Sequence, residues 1–204
     1  IIHKNIQLLD KNNLSYSIRS TITMKNVSLM SEMVRFVVDN YPKLRSLHFE
    51  PVTDDVEDRF YQEYIDNFFQ ARTIAKSYGI DLYNSSTKSI FNIKEQFCNG
   101  ELCLTPTGDI VACHRISSKN DSNFDKFCYG KITEKGIHIS QYKYQDFLHS
   151  AQTKSDKCQH CFAYWHCAGA CPMERATFNK KQLSSKCEFI REIIKRTLLE
   201  YLKK

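Results

Sequence analysis

The most distinctive chemistry of this chain lies in a short cysteine-rich segment. Cys158, Cys161, Cys167 and Cys171 are spaced C-x2-C-x5-C-x3-C, and Cys187 follows them. Thiolate sulfurs are strong ligands of soft metals and of iron–sulfur clusters. Two cysteines separated by two residues can bind one metal, because a short turn aims both sulfurs at it. The segment therefore predicts a metal site.

Cysteine usage also indicates the redox environment. The chain has nine cysteines, an odd number, and it does not begin with a secretory signal. Together with the C-x2-C spacing, these features favour metal ligation in a reducing compartment over a framework of disulfides. We therefore expect a cytoplasmic protein.

Composition limits the classes of partner. The chain has 204 residues, 42% of them hydrophobic, which is enough for one or two domains. The net charge is +6, but the basic residues are scattered and form no dense tract, so we expect no nucleic-acid partner. There is no apolar run of about eighteen residues, so we expect no transmembrane helix and no membrane partner. The chain opens with Ile1 inside a predicted helix, which suggests a piece of a longer protein.

The first 83 residues predict alternating strands and helices. Residues rich in β-branched side chains predict strands over 16–23, 44–49 and 80–83. Helical periodicity predicts helices between them, the longest running from about Val56 to Tyr78. Strands and helices that alternate at this spacing favour parallel βαβ units, and therefore an α/β fold.

The character of the sequence changes after a predicted linker at 84–97. Residues 102–105 and 110–113 predict a β-hairpin, whose turn lies at Thr107 and Gly108. A second strand pair is predicted between Phe127 and Ile139, and a helix closes the chain. We therefore predict two domains, 1–86 and 87–204.

The spacing of the cysteines resembles that of a known family. Cys98, nine residues, Gly108, four residues and Cys113 precede the cysteine array, and Cys187 follows it. In this pattern the chain resembles the SPASM domain, the C-terminal auxiliary-cluster domain of many radical S-adenosylmethionine (SAM) enzymes. Residues 127–132 also resemble the short strand that follows the hairpin in that family. The preceding βαβ stretch resembles the second half of the partial (β/α)6 radical-SAM barrel, so the resemblance implies an α/β (α+β) chain with barrel and SPASM portions.

The resemblance implies two [4Fe–4S] clusters with interleaved ligands. The proximal cluster would be held by Cys98, Cys103, Cys113 and Cys171. The distal cluster would be held by Cys158, Cys161, Cys167 and Cys187. Cys103 matches no fixed family position; if it points into the core, the proximal cluster keeps an open iron. Cys128 is left over, and we expect it to be a small core residue.

The motif that would generate a radical is not in this sequence. Radical SAM enzymes bind SAM at a third [4Fe–4S] cluster held by C-x3-C-x2-C. Cys167 and Cys171 have the first spacing, but position 174 is Glu174. The chain as given should therefore not cleave SAM, which together with the third cluster would belong to a full-length parent.

Three further residues are candidates for the site. His114 follows the last hairpin cysteine. In the sulfatase-maturating branch this position holds an aspartate that is proposed to accept a proton. His114 is therefore a catalytic candidate, and a surface histidine without a catalytic role is the alternative. Arg19 and Glu50 occupy strand positions that would face the interior of a barrel, where they would contact SAM or substrate.

Two classes of function follow. In the first, the parent is a radical SAM oxidoreductase that modifies a peptide or protein, and its auxiliary clusters accept electrons or anchor the substrate. Its partners would be that substrate and an electron donor such as a flavodoxin or ferredoxin. In the second, the module is a structural zinc-binding or interaction domain, because zinc also takes four-thiolate sites built from C-x2-C pairs.

Overall fold

The computed structural model describes residues 1–53 and 58–203, which form two compact units. The first unit comprises Ile1–Phe91 and Glu188–Lys204, and the second comprises Asn92–Cys187. The structure therefore assigns Glu188–Lys204 to the first unit. The sequence analysis placed these residues in the cysteine-rich domain. The assignment of residues 1–86 and 87–204 to two family domains stays a prediction.

A parallel three-stranded sheet organises the first unit. Its strands are β1 (Tyr16–Ile22), β2 (Leu44–Pro51) and β3 (Asp81–Tyr83), in that spatial order. Both strand pairs are parallel, which confirms the predicted βαβ units. The helices of this stretch are α1 (Ile2–Lys11), α2 (Met30–Asn40) and α3 (Asp58–Ser77). The predicted start of the long helix at Val56 lies outside the described residues.

Tyr64 of α3 ties the core of the first unit together. Its ring is fully buried and lies 5.5 Å from that of Phe68. The Tyr64 hydroxyl donates a 2.6 Å hydrogen bond to the backbone oxygen of Phe49 on β2, and it accepts one of 3.0 Å from the amide of Asn84. Burial raises the pKa of Tyr64 well above its ordinary value, so the hydroxyl remains a donor.

The predicted linker begins with a helix, so that prediction was wrong for its first residues. Helix α4 (Ser85–Ser89) starts in a capping box: the Asn84 side chain accepts from the Thr87 amide, and the Thr87 hydroxyl accepts from the Asn84 amide. Asn84, Thr87 and Ser89 are buried. Polar residues that satisfy one another's hydrogen bonds can be buried, which a composition typical of linkers conceals.

An antiparallel four-stranded sheet organises the second unit. Its strands follow one another in sequence and in space, and they are β4 (Cys103–Leu104), β5 (Asp109–Val111), β6 (Cys128–Thr133) and β7 (Gly136–Ile139). The two predicted strand pairs are thereby confirmed. The β4–β5 turn places Gly108 at φ +79°, a conformation that glycine adopts without steric cost.

Short helices surround this sheet. Helix α5 (Phe124–Phe127) precedes β6, and α6 (Gln141–Gln152), α7 (Tyr164–Cys167) and α8 (Pro172–Thr177) follow β7. The last helix, α9 (Lys180–Leu202), begins in the second unit, and its residues from Glu188 onward belong to the first.

Candidate metal centre

Four thiols from separate parts of the second unit pack on one hydrophobic core. Cys98, Cys103, Cys113 and Cys171 are half-buried against a cluster of buried residues from β5, β6 and the neighbouring helices. This core consists of Ile110, Val111, Ala112, Ile116, Phe127, Tyr129, Phe147, Ala151 and Met173. Cys128 is a fifth cysteine on this core, and the other four are those that the family resemblance assigned to the proximal cluster. We call these four the proximal thiols.

Backbone geometry brings the first of these thiols close to the core. Gly100, between Cys98 and Cys103, has φ +78°. A Cβ at this position would lie 2.7 Å from the Cε1 atom of Phe147 and 3.4 Å from the Cβ of Ala112. The chain segment can therefore approach the core because position 100 is glycine.

The proximal thiols interact with one another electrostatically. Burial raises the pKa of Cys113, and its interactions with Glu101 and Cys98 add to that rise. Burial also raises the pKa of Cys171, to which Cys113 contributes. The pKa of Cys103 rises to about 11, because of burial first, then a hydrogen bond to Glu101, and to a smaller degree Cys113. Cys103, Cys113 and Cys171 are therefore protonated at neutral pH when no metal is bound, and metal binding would release their protons.

We call the four cysteines that the resemblance assigned to the distal cluster, Cys158, Cys161, Cys167 and Cys187, the distal thiols; Cys187 lies within α9, and the other three lie in or just before α7. Cys158 ends a 3-10 turn, and the Cys161 amide donates to its backbone oxygen across 3.2 Å. Cys167 ends α7, and burial raises its pKa to about 11; Cys187 and Cys158 also raise it, whereas the backbone amides of Ala170 and Gly169 oppose the rise. The fold therefore brings Cys158 and Cys187 within electrostatic reach of Cys167, and a backbone hydrogen bond links Cys161 to Cys158.

The donor set fits a metal held by thiolates in its chemistry. Each of the nine cysteines, all of which lie in the described part of the chain, is free rather than bridged. Over residues 1–53 and 58–203, however, no three His, Cys, Asp or Glu side chains converge closely enough to form a ready-made metal site. The cysteines are therefore suited to a thiolate-bound metal by their chemistry, and binding of one would require them to lose their protons.

Glu101 links the candidate His114 to the proximal thiols. Its Oε2 atom accepts a hydrogen bond from Nδ1 of His114 across 2.9 Å and one from the Cys103 thiol across 3.2 Å. The hydrogen bond from His114, and secondarily that from Cys103, lowers the pKa of Glu101. The site thus contains a carboxylate anion beside Cys103, the candidate fourth ligand of the proximal cluster.

The sequence reasoning missed Glu101, although a signal was present. Glu101 directly precedes the strand predicted over 102–105 and is two residues from Cys103; residues two apart point to the same face wherever the backbone is extended. Backbone contacts then fix this segment: the Glu101 amide donates to Ala112 across 2.9 Å, and the Tyr129 hydroxyl donates to the Glu101 carbonyl across 3.0 Å.

Cys128 stands apart from these groups in its hydrogen bonding. It begins β6, opposite Val111 of β5, and its thiol donates to the carbonyl of Gly130 across 3.7 Å. It packs on the same core as the proximal thiols. This placement agrees with the expected role of a small core residue.

Arg19 lies on the polar face of the parallel sheet. It is exposed and is paired with His48 of β2, which is paired in turn with Tyr83 of β3. Paired residues point to the same face, so these three side chains share it. The His48 and Tyr83 rings are stacked at 4.8 Å, and the Lys88 ammonium lies 3.6 Å from the centre of the Tyr83 ring.

Glu50 lies on the same face as His48 and is already engaged. Its Oε2 atom accepts hydrogen bonds from Nε2 of His48 at 2.7 Å and from the Ser85 amide and hydroxyl at 2.9 and 3.0 Å. The structure therefore gives Glu50 a positioning role, holding His48 and the start of α4. A contact of Arg19 or Glu50 with SAM or substrate stays a prediction.

Comparisons with known proteins leave the family of this chain open. A search of protein-family models found no match, and a search of curated proteins found none either. Within the described residues, no helix is both long enough and apolar enough to span a bilayer. The chain is thus established as a mixed α/β protein in which a cysteine-rich unit groups thiols around a shared core.

Proposed function

We propose that this chain is the auxiliary [4Fe–4S]-binding portion of a radical SAM oxidoreductase that modifies a peptide or protein. The observation that supports this proposal best is the grouping of the proximal thiols. Cys98, Cys103, Cys113 and Cys171 come from both ends of the second unit, yet they pack on one core and interact electrostatically. Thiols from remote positions can share one metal centre when the fold packs their segments together.

The chain's own residues would supply the ligands of the clusters and an apolar surrounding that excludes water. The proximal thiols would hold one cluster and Cys158, Cys161, Cys167 and Cys187 the other. Phe127, Tyr129 and Met173 are buried behind the proximal thiols and would exclude water from the sulfurs. When bound, such clusters supply electron transfer or an iron that anchors substrate.

The proposal extends to the parent protein and its partners. The first unit would be the second half of a partial (β/α)6 barrel, and the second unit the SPASM domain. SAM and a third [4Fe–4S] cluster would belong to the parent, which would work in the cytoplasm with an electron donor such as a flavodoxin or ferredoxin. Arg19 would contact SAM or substrate, Glu50 would act through His48, and His114, held by Glu101, would be the candidate proton acceptor.

Metal analysis after anaerobic purification tests this proposal. We expect brown protein that contains iron and acid-labile sulfide in equal amounts and that is bleached by dithionite. Colourless protein with stoichiometric zinc would overturn the proposal and favour the structural zinc-binding alternative, because four thiolates suit either metal. A Cys98→Ser, Cys158→Ser double variant is the matched control, since it removes one ligand from each group and should lose the colour.

A further inference from the structure

A cavity at α7 is lined by side chains that bind polar groups. Its volume is about 350 Å³, and its lining consists of Glu95, Gln96, Gln152, Lys154 and Trp165. This volume lies in the range of small-ligand sites in proteins. Trp165 lies on α7, between Cys161 and Cys167 in sequence, and its side chain is 52% exposed. An exposed indole in a polar cavity can make a ligand contact that a buried one cannot.

The walls of this cavity are held in place by fixed contacts. The backbone amide of Lys94 donates to the Trp165 carbonyl across 2.8 Å, which joins the segment before Glu95 to α7. The Gln152 amide donates to Oε1 of Gln96 across 2.9 Å, which joins that segment to the end of α6. These contacts hold three segments in place around the cavity. The free-energy cost of ordering the cavity when a ligand binds would therefore be small.

A third set of contacts fixes the loop that carries Lys154. The guanidinium of Arg175 donates to the carbonyls of Ser150 and Ala151 across 2.9 Å each and also to that of Thr153. The Lys154 ammonium lies 4.4 Å from the centre of the Tyr164 ring, whose centre is 5.0 Å from that of Trp165. The ammonium and the indole are therefore held near each other at one side of the cavity.

We propose that this cavity binds a short peptide segment. Gln96 Nε2 and Gln152 Oε1, the amide atoms outside the hydrogen bond between these two side chains, are a donor and an acceptor of the kind that pair with peptide C=O and N–H groups. Lys154 and Glu95 offer one charge of each sign, which suits acidic and basic side chains, whereas a neutral saccharide would need neither. The face of Trp165 suits an apolar or aromatic side chain between them. The inference deepens the proposed function and rests on it for the class of substrate, because it places a peptide at α7, the helix that ends in Cys167.

The test is peptide binding to the full 204-residue chain in its as-isolated metal state. The probe is acetyl-Asp-Phe-Lys-amide, which carries one group for each charged residue and one ring, and acetyl-Asn-Ala-Gln-amide is its uncharged comparison. Isothermal titration calorimetry measures binding, and the emission of Trp165 is a second readout, because it is the single tryptophan of the chain. We expect the charged probe to bind at least about tenfold more tightly, which is the effect of about 1.4 kcal/mol.

Variants separate the cavity from the surrounding surface. Trp165→Ala and Lys154→Gln should each weaken binding about tenfold or more, and Trp165→Phe should retain part of it. Phe162→Ala is the matched control, because Phe162 is an equally exposed aromatic residue of the same loop and does not line the cavity. It should bind the probe as the unmodified chain does, and circular dichroism should show that all variants are folded.

Each outcome decides for or against the cavity. Binding of maltotriose in place of the peptide, equal binding of both peptides, or equal loss in the Phe162→Ala variant would each overturn the inference, as would the absence of binding. Failure of the proposed function is read separately from iron and sulfide content. A zinc-containing chain that binds the charged probe keeps the peptide site and discards the redox role.

Discussion

The thiol of Cys103 donates a hydrogen bond across 3.2 Å to the carboxylate of Glu101, two residues earlier in the chain. The same carboxylate oxygen accepts from His114, so one anion connects the candidate fourth ligand to the candidate proton acceptor. A carboxylate in this place stabilises the protonated thiol and disfavours the thiolate. The availability of Cys103 to a metal, as a thiolate, therefore depends directly on Glu101.

Replacing Glu101 should make Cys103 more reactive in the metal-free protein. The pKa of Cys103 is raised to about 11, partly by its hydrogen bond to Glu101, and only the thiolate reacts with iodoacetamide. Glu101→Gln lowers that pKa, so at pH 8 the thiolate fraction rises about tenfold for each unit by which the pKa falls. Peptide mass spectrometry after timed alkylation measures the rate at Cys103. Glu134→Gln, an exposed carboxylate on the β6–β7 turn, is the control, and an unchanged Cys103 rate in Glu101→Gln would contradict the prediction.

Two cysteine variants should differ in iron content. Cys113 belongs to the proximal thiols, whereas Cys128 has its own hydrogen bond to Gly130. If each cluster has four irons, Cys113→Ser removes a ligand of one cluster and should lower bound iron to about half. Cys128→Ser should keep the full content. Iron and sulfide are measured after anaerobic reconstitution; an equal loss in both variants would contradict the assignment of Cys128 to the core.

The emission of Trp165 should report which metal is bound. Trp165 is the single tryptophan and lies between two of the distal cysteines in sequence. Iron–sulfur clusters absorb broadly through charge transfer from their thiolates and would quench the indole by energy transfer, whereas zinc has no such absorption because its d shell is filled. We expect strong quenching on reconstitution with iron and sulfide and little change with zinc. Emission from the Trp165→Phe variant supplies the baseline, and unquenched emission in iron-loaded protein would contradict the proximity of a distal cluster.

Removing the Tyr64 hydroxyl should destabilise the first unit. The hydroxyl connects the Phe49 carbonyl to the Asn84 side chain in a fully buried setting. Tyr64→Phe leaves both partners without this contact, and an unsatisfied buried polar group costs about 1–3 kcal/mol. Urea unfolding followed by circular dichroism measures the loss of free energy of unfolding. Tyr78→Phe, at a tyrosine that is 53% exposed, should change it little; equal losses would show that the buried contact contributes nothing special.

The parallel sheet and the hairpins were predictable because their signals are local. Alternation of β-branched residues predicts strands such as Tyr16–Ile22, and the regular insertion of helices predicts parallel pairing. The β4–β5 turn follows from Gly108, whose positive φ suits a tight turn. Helix α4 was missed because Asn84 and Thr87 are ordinary linker residues until their side chains satisfy each other's backbone.

The candidate site, like the fold, could be predicted from the sequence only in part. The sequence by itself determined the residue types and their spacing: sulfur ligands at C-x2-C spacing, His114 after Cys113, and Glu101 two residues before Cys103. Only the tertiary structure decided that Glu101 reaches His114 and that the proximal thiols share one core. The tertiary structure also forms the Trp165 cavity from three segments. Spacing along the chain fixes turns and faces, whereas contacts between remote segments depend on strand register and on the burial of apolar side chains, which the whole fold must satisfy at once.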